Sequence, residues 1–140
     1  DAMDIKRANS RSTKPAPDTN FTGQVLQDPV LVGVAPSRMR ATNVTFLPGG
    51  RTAWHAHPVG QTLYCVTGIG RVQLEGEQVQ ELHPGDTACI PPDTRHWHGS
   101  APDRMFTHLA MSETSDTGEV TAWFEKVSDE DYNKTPEAIS

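Results

Sequence analysis

Short runs rich in Val, Thr, Leu and aromatic residues alternate with polar positions through most of the chain, and glycine or proline interrupts them every few residues. A period of two with such punctuation predicts β-strands. They fall near 22–27, 30–34, 41–48, 52–57, 61–67, 70–75, 78–82, 87–91, 95–99, 105–112 and 119–125. Glu75-Gly76-Glu77 predicts a tight hairpin between two of them. His83-Pro84-Gly85-Asp86, with Pro then Gly at its centre, predicts a type II turn. One helix is predicted, over 129–134, with Ser128 as its cap, Asp131 at N3 and Val127 stapled to Tyr132. Thr135 to Ser140 is expected to fray. The pattern is that of an all-β domain.

A length of 140 residues fits one domain. It is read as 3–140, with Asp1 and Ala2 a cloning remnant ahead of Met3. Hydrophobic residues at 35% and charged residues at 21% fit a globular chain, and no apolar run approaches the roughly 20 residues of a membrane span. The start has no apolar leader, so cytoplasm is the expected compartment. A net charge of −6 with thinly spread basic residues argues against nucleic-acid binding. Lys6, Arg7, Arg11 and Lys14 read as a solvated arm that could cross to a partner. Cys65 and Cys89 read as small buried hydrophobes without a disulfide.

The histidines change the picture. All six lie between His55 and His108, and five sit in predicted strands. In His55-Ala56-His57 the two imidazoles share one face of a strand, as do His96 and His98 around Trp97. Gln61 follows the first pair after Pro58-Val59-Gly60 redirects the chain. Three neutral imidazoles and an amide oxygen suit one divalent first-row ion such as Mn, Fe, Zn, Co or Ni. Either pair alone reads more readily as a polar strand face; two pairs with flanking turns do not.

Those turns carry a resemblance. Gly49-x5-His55-x-His57-x3-Gln61-x6-Gly68 resembles the first cupin motif, and Gly85-x5-Pro91-x-Asp93-x2-His96-x3-Ser100 the second. The resemblance covers about 42–112. It implies a double-stranded β-helix, or jelly roll, with the metal in its mouth and His55, His57, Gln61 and His96 as its ligands. Gln61 stands where the family usually has a carboxylate, Asp93 where it has glycine, and Ser100 where it has asparagine. Without an anionic protein ligand the ion keeps its full charge, which favours polarising an oxygen over activating dioxygen.

Around the metal, His108 shares a strand face with Phe106, Ala110 and Ser112. It reads either as a base with a lowered pKa or as a core histidine, and the same alternatives hold for His98. His83 reads as surface. Thr42, Val44, Phe46, Leu63 and Cys65 read as pocket or core, Thr52 as a hydroxyl near the metal, and Trp54 and Trp97 as packing or interface residues.

The stretch Phe46 to Leu63, with Arg95-His96-Trp97-His98-Gly99 and Thr107-His108-Leu109-Ala110, is similar to small bacterial cupins found beside carboxymuconolactone decarboxylases. Among these, the manganese-dependent hydroxynitrile lyases are similar through nearly the whole chain. That implies manganese and cleavage of an aromatic cyanohydrin to aldehyde and hydrogen cyanide. His108 would take the hydroxyl proton, His98 would steady cyanide, and Phe106, Val44 and Leu63 would hold the ring, with Thr42, Thr52 and Ser112 also in the pocket. The rivals are a cupin dioxygenase, a metal-dependent isomerase or decarboxylase of an oxo acid, and a non-catalytic binder of small ligands. The oxo-acid reading asks for a cation in the pocket, for which Arg51, Arg71 and Arg95 are candidates of unknown facing. A homo-oligomer, dimer or tetramer, is expected.

Overall fold

In the computed structural model, which describes residues 2–139, the alternating runs become strands and the glycine and proline positions become their connections. Asp1 and Ser140 lie outside the described residues. A 3-10 turn at Ala8–Ser10 leads into β1 (Lys14–Pro15), β2 (Phe21–Thr22), β3 (Val25–Val32) and β4 (Met39–Phe46). β5 (Arg51–Thr52), β6 (His55–Ala56), β7 (Gln61–Gly68), β8 (Gly70–Leu74) and β9 (Gln80–Leu82) come next. β10 (Thr87–Ile90), β11 (His96–Ser100), β12 (Phe106–Glu113), β13 (Ala122–Trp123) and the helix α1 (Asp129–Tyr132) complete the order.

Two antiparallel sheets result. One runs β1-β3-β4-β12-β7-β10, the other β13-β6-β11-β5-β2 with β8 beside β11 and β9 beyond it. This is the jelly roll that the resemblance implies. Inward positions of both sheets, among them Val25, Phe46, Leu63, Val72, Ile90 and Phe106, meet in one apolar core. Burying each such side chain contributes about 1.5–3 kcal/mol.

A second cluster lies behind the other sheet, where Trp54, Val79 and Trp97 pack on Val127 and Tyr132. Ser128 accepts the Asp131 N–H at 3.1 Å, as the capping pattern predicts. Arg51 donates to the Val127 carbonyl at 2.8 Å and to Asp129 at 2.7 Å, and Arg71 donates to the Tyr132 carbonyl at 2.8 Å. The Tyr132 hydroxyl donates to the Ser100 carbonyl at 2.6 Å. Two guanidinium groups therefore anchor the C-terminal segment.

Several expectations shift. The runs at 22–27 and 30–34 form one strand, β3, because Pro29 is absorbed in a bulge against β4 rather than ending it. The run at 52–57 splits into β5 and β6, since Trp54 leaves the sheet partners to bond backbone to backbone with Phe124 and Glu125. β1, at Lys14–Pro15, lies outside the predicted runs. The Gly76 turn exists, but β8 and β9 first pair at Val72 and Gln80, so the connection is wider than a tight hairpin. Gly85, at φ 92, and the Asp86 N–H to His83 carbonyl bond of 2.9 Å build the predicted turn. α1 ends two residues early, at Tyr132, where the Asn133 N–H closes on Asp129. Cys65 is buried, but Cys89 is exposed because Ala88 and Ile90 take the inward positions of β10; both thiols are free. No described helix is long and apolar enough to cross a membrane.

Candidate metal centre

Two sharp turns bring the histidine strands together. After β6, Gly60 adopts φ 86 with its backbone against the Ile90 carbonyl, so the chain reverses within four residues and Gln61 opens β7 beside His57. Asp93, at φ 55, occupies the left-handed conformation that glycine takes easily and aspartate tolerates. Its N–H donates to the His57 carbonyl at 2.9 Å, which ties the turn before β11 to the first histidine pair. His96 then sits across from His55 in the β6–β11 pairing. Ser100, in the position of the usual asparagine, donates its hydroxyl to the Leu47 carbonyl at 2.8 Å.

Each of three imidazoles is held by the nitrogen farther from the centre. His55 Nδ1 donates to the Ala53 carbonyl, His57 Nδ1 to the Val120 carbonyl and His96 Nδ1 to the Thr94 carbonyl, all at 2.9 Å. A donating Nδ1 fixes the tautomer and leaves Nε2 as a lone pair. Burial holds all three pKa values below the ordinary range, with neighbouring imidazoles adding to it at His55 and His96, the latter pushed down to about 4. At neutral pH these rings carry no charge. Gln61 Oε1 nevertheless lies 3.3 Å from His96 Nε2, so two acceptors face each other, and His57 Nε2 is buried without a hydrogen-bond partner among the described residues. Opposed lone pairs in a buried site suit a bound cation, and this donor set fits a divalent ion.

His98 is the added member. Nitrogens of His55, His96 and His98 all lie within 4.8 Å of one another, the one such group of three among the described residues. The His98 ring stacks on His96 at 5.7 Å and meets His55 edge-on at 5.1 Å. Its Nδ1, however, faces His108 Nε2 at 2.9 Å rather than a backbone carbonyl. Burial lowers both pKa values, that of His108 to about 3.

The cavity above the histidines has a volume of about 210 Å³. Thr42, Thr52, Ser112, His55, His57, Gln61 and His98 line it. Val44, Leu63 and Phe106 do not. They point inward on the right face but lie deeper along their strands, within the apolar core. His108 is also beneath the wall, fully buried against Phe46 and Phe106. Thr52 Oγ1 accepts the His98 N–H at 3.2 Å. Trp97 turns away and donates to Gln73, and Trp54 packs beside it. His83 is half exposed and bonds Glu81.

Sequence reasoning missed six wall residues: Phe21, Gln27, Arg40, Val120, Thr121 and Trp123. The segments that carry them lie outside the histidine motifs, and β13 meets His55 only through sheet pairing. Inward alternation with Thr42 on β4 would have found Arg40. Arg51, Arg71 and Arg95, by contrast, face elsewhere: the first two anchor the C-terminal segment, and Arg95 pairs with Glu75 and Glu125.

Comparison with known proteins accords with this geometry. Residues 42–109 match the Cupin domain family model. An (R)-mandelonitrile lyase from Granulicella tundricola is 46% identical over 132 residues, covering 94% of this chain and all of that protein. This chain is a cupin. A cupin-like protein from Thermotoga maritima is 33% identical with a TM-score of 0.81, over 98% of this chain and all of that one. A polyketide cyclase from Streptomyces resistomycificus, 17% identical at a TM-score of 0.71 over 94% and 91% of the chains, shares the fold. The cupin is hydroxynitrile lyase-like, and its buried histidines are able to hold a metal.

Proposed function

We propose that this cupin is a metal-dependent lyase that splits aromatic cyanohydrins into aldehyde and hydrogen cyanide and runs the reverse addition. The observation that supports it most is the pairing of a neutral, cation-suited donor set with an uncommitted His98–His108 pair, in a chain 46% identical to an (R)-mandelonitrile lyase. His55, His57, Gln61 and His96 would hold one divalent ion, manganese by preference, with iron, zinc, nickel or cobalt suited to the same donors. Bound there, the ion would supply Lewis-acid stabilisation of negative charge on the substrate oxygen.

The protein supplies the proton path. His98 lines the cavity and its Nε2 has no partner among the described residues, so it meets the cyanohydrin hydroxyl. Its low proton affinity keeps it neutral and able to accept. As the hydroxyl proton goes to His98 Nε2, the C–C pair leaves with cyanide, and the same proton then converts cyanide to hydrogen cyanide. His108, behind the wall, bonds His98 Nδ1 and orients the ring. This exchanges the parts that sequence alone suggests, because only His98 reaches the cavity.

Aldehyde release from racemic mandelonitrile, by manganese-loaded protein against a metal-stripped control, tests the reading. Metal-dependent, enantioselective release is expected; equal rates in both samples would sink it. We also propose a cytoplasmic homo-oligomer, dimer or tetramer, which sedimentation at micromolar concentration checks.

One observation favours a second reading. Arg40 lines the cavity, and no Asp or Glu among the described residues does. A lone cation there suits the carboxylate of an oxo acid and hence an isomerase or decarboxylase. Turnover of oxo acids but not mandelonitrile, lost in Arg40→Ala, would select it.

A further inference from the structure

We infer that Trp123, on the strap that follows the barrel, is the aryl-binding wall of the cavity and sets the preference for aromatic over aliphatic substrates. The inference rests on the lyase reading for its substrate but on the cavity alone for its ligand class. Three large apolar side chains assigned to the ring from sequence, Val44, Leu63 and Phe106, are in the core and out of reach. The aromatic side chains that do line the cavity are Phe21 and Trp123. Phe21 is 7% exposed, whereas Trp123 is 38% exposed, so the indole is the larger accessible surface.

The indole is also held in place. β13 pairs Trp123 with His55, and the ring packs on the His55 imidazole at a centroid distance of 4.8 Å and an interplanar angle of 33°. Phe21 supports it from the side at 5.6 Å. Phe124 and Glu125, the next residues, are fixed by backbone bonds to Trp54 at 2.9 Å and by the Arg95 ion pair with Glu125. A flat aromatic surface fixed on both sides gives contact area at little cost in ordering. Thr42 and Ser112, on the facing sheet, and Thr52, on the sheet of Trp123, present small polar groups to the cavity. A ligand with one apolar ring and one polar end is therefore oriented, ring to Trp123 and polar end to the histidines. A volume of about 210 Å³ is smaller than the roughly 300–1,000 Å³ of drug-sized pockets, which limits the ligand to a single ring with a short substituent.

The test uses benzyl alcohol as an unreactive probe and isobutanol as its aliphatic control, titrated into the purified protein. Affinity is read in wild type and variants alike by saturation-transfer NMR of the alcohol, and in the wild type also by the indole N–H signals. Trp54 and Trp97 are buried in the other cluster, so a saturable shift confined to the Trp123 signal is expected with benzyl alcohol. Trp123→Leu should weaken benzyl alcohol about tenfold and isobutanol by less than about threefold, the scale of an aromatic contact plus its buried area. Trp123→Phe should restore most of the binding. Equal affinity for both alcohols in wild type and Trp123→Leu overturns the inference. A protein that binds benzyl alcohol through Trp123 yet leaves mandelonitrile intact keeps the inference and ends the lyase reading. A lyase whose Trp123→Leu variant handles mandelonitrile and an aliphatic cyanohydrin in the wild-type ratio does the reverse.

Discussion

His108 Nε2 lies 2.9 Å from His98 Nδ1, and the two outer nitrogens, His98 Nε2 and His108 Nδ1, have no hydrogen-bond partner among the described residues. One proton is shared along this contact, and its position decides whether His98 Nε2 offers a lone pair or an N–H to the cavity. Replacing His108 removes that control without touching the cavity wall. His108→Ala should lower kcat by about 10²–10⁴, the range of general acid–base catalysis, while the protein keeps a full equivalent of metal. Wild-type turnover in this variant would leave His108 as a packing residue and nothing more.

The ligand set is separable from the proton pair by metal content. His55, His57 and His96 each spend Nδ1 on a carbonyl, which aims Nε2 inward, whereas His98 spends Nδ1 on another imidazole. His57→Ala and His96→Ala should therefore lose metal, and His98→Ala should retain it while losing activity. Plasma emission analysis of dialysed protein reads this directly. If His98→Ala is the metal-free variant and His57→Ala is loaded, the ion sits on His55, His96 and His98 instead.

Much of this was legible in the sequence, and the reason is geometric. Two His-x-His runs on strands and the turns at Gly60 and Asp93 are local features, so the ring of imidazoles follows from alternation. Depth along a strand is not local. Alternation places Val44, Leu63 and Phe106 on the inner face correctly but cannot say that they lie below the cavity floor rather than beside it. Trp123 and Val120 were invisible for a stronger reason: Trp123 reaches the site through the pairing of β13 with β6, and Val120 through its carbonyl on His57 Nδ1, and no motif marks either.

That depth has a measurable consequence. Leu63 is fully buried among core side chains, so Leu63→Ala should destabilise the fold by about 2–5 kcal/mol through lost burial and a cavity. Thr42→Ala, on the cavity wall, should cost under about 1 kcal/mol and alter KM instead. Urea unfolding compares the two. A Leu63→Ala protein with wild-type stability and altered substrate preference would return Leu63 to the pocket.

Acid should weaken the metal-free fold earlier than carboxylate titration does. Burial lowers the pKa of His55, His57, His96, His98 and His108 below 6.5, His96 to about 4 and His108 to about 3. Below pH 6.5 the unfolded chain takes up protons that the folded chain refuses, so stability falls with falling pH. The loss continues until each folded pKa is passed. Each such histidine contributes about 1.4 kcal/mol per pH unit within its window. Urea midpoints taken between about pH 7 and pH 5, above most carboxylate titration, should drop steeply, and less steeply for His108→Gln. A flat profile over that range would mean that the histidines are already charged in the folded state.

Gln61 tests why the site is built from neutral donors. Its amide oxygen faces His96 Nε2 at 3.3 Å, and the Gln61 side chain also acts on the His55 and His57 rings, so any charge placed there is felt by every ligand. Gln61→Glu adds an anion to the donor set. That should bind the divalent ion more tightly, by about tenfold or more, because an opposite charge at this range favours the charged partner. The same anion offsets the positive charge that stabilises a developing alkoxide, so cyanohydrin cleavage should fall by at least about tenfold despite fuller loading. In the metal-free protein the new carboxylate should raise the pKa of His96, seen by NMR titration of its ring. Tighter metal with unchanged turnover would break the link between the neutral amide and the reaction, and weaker metal would place Gln61 outside the ligand set altogether.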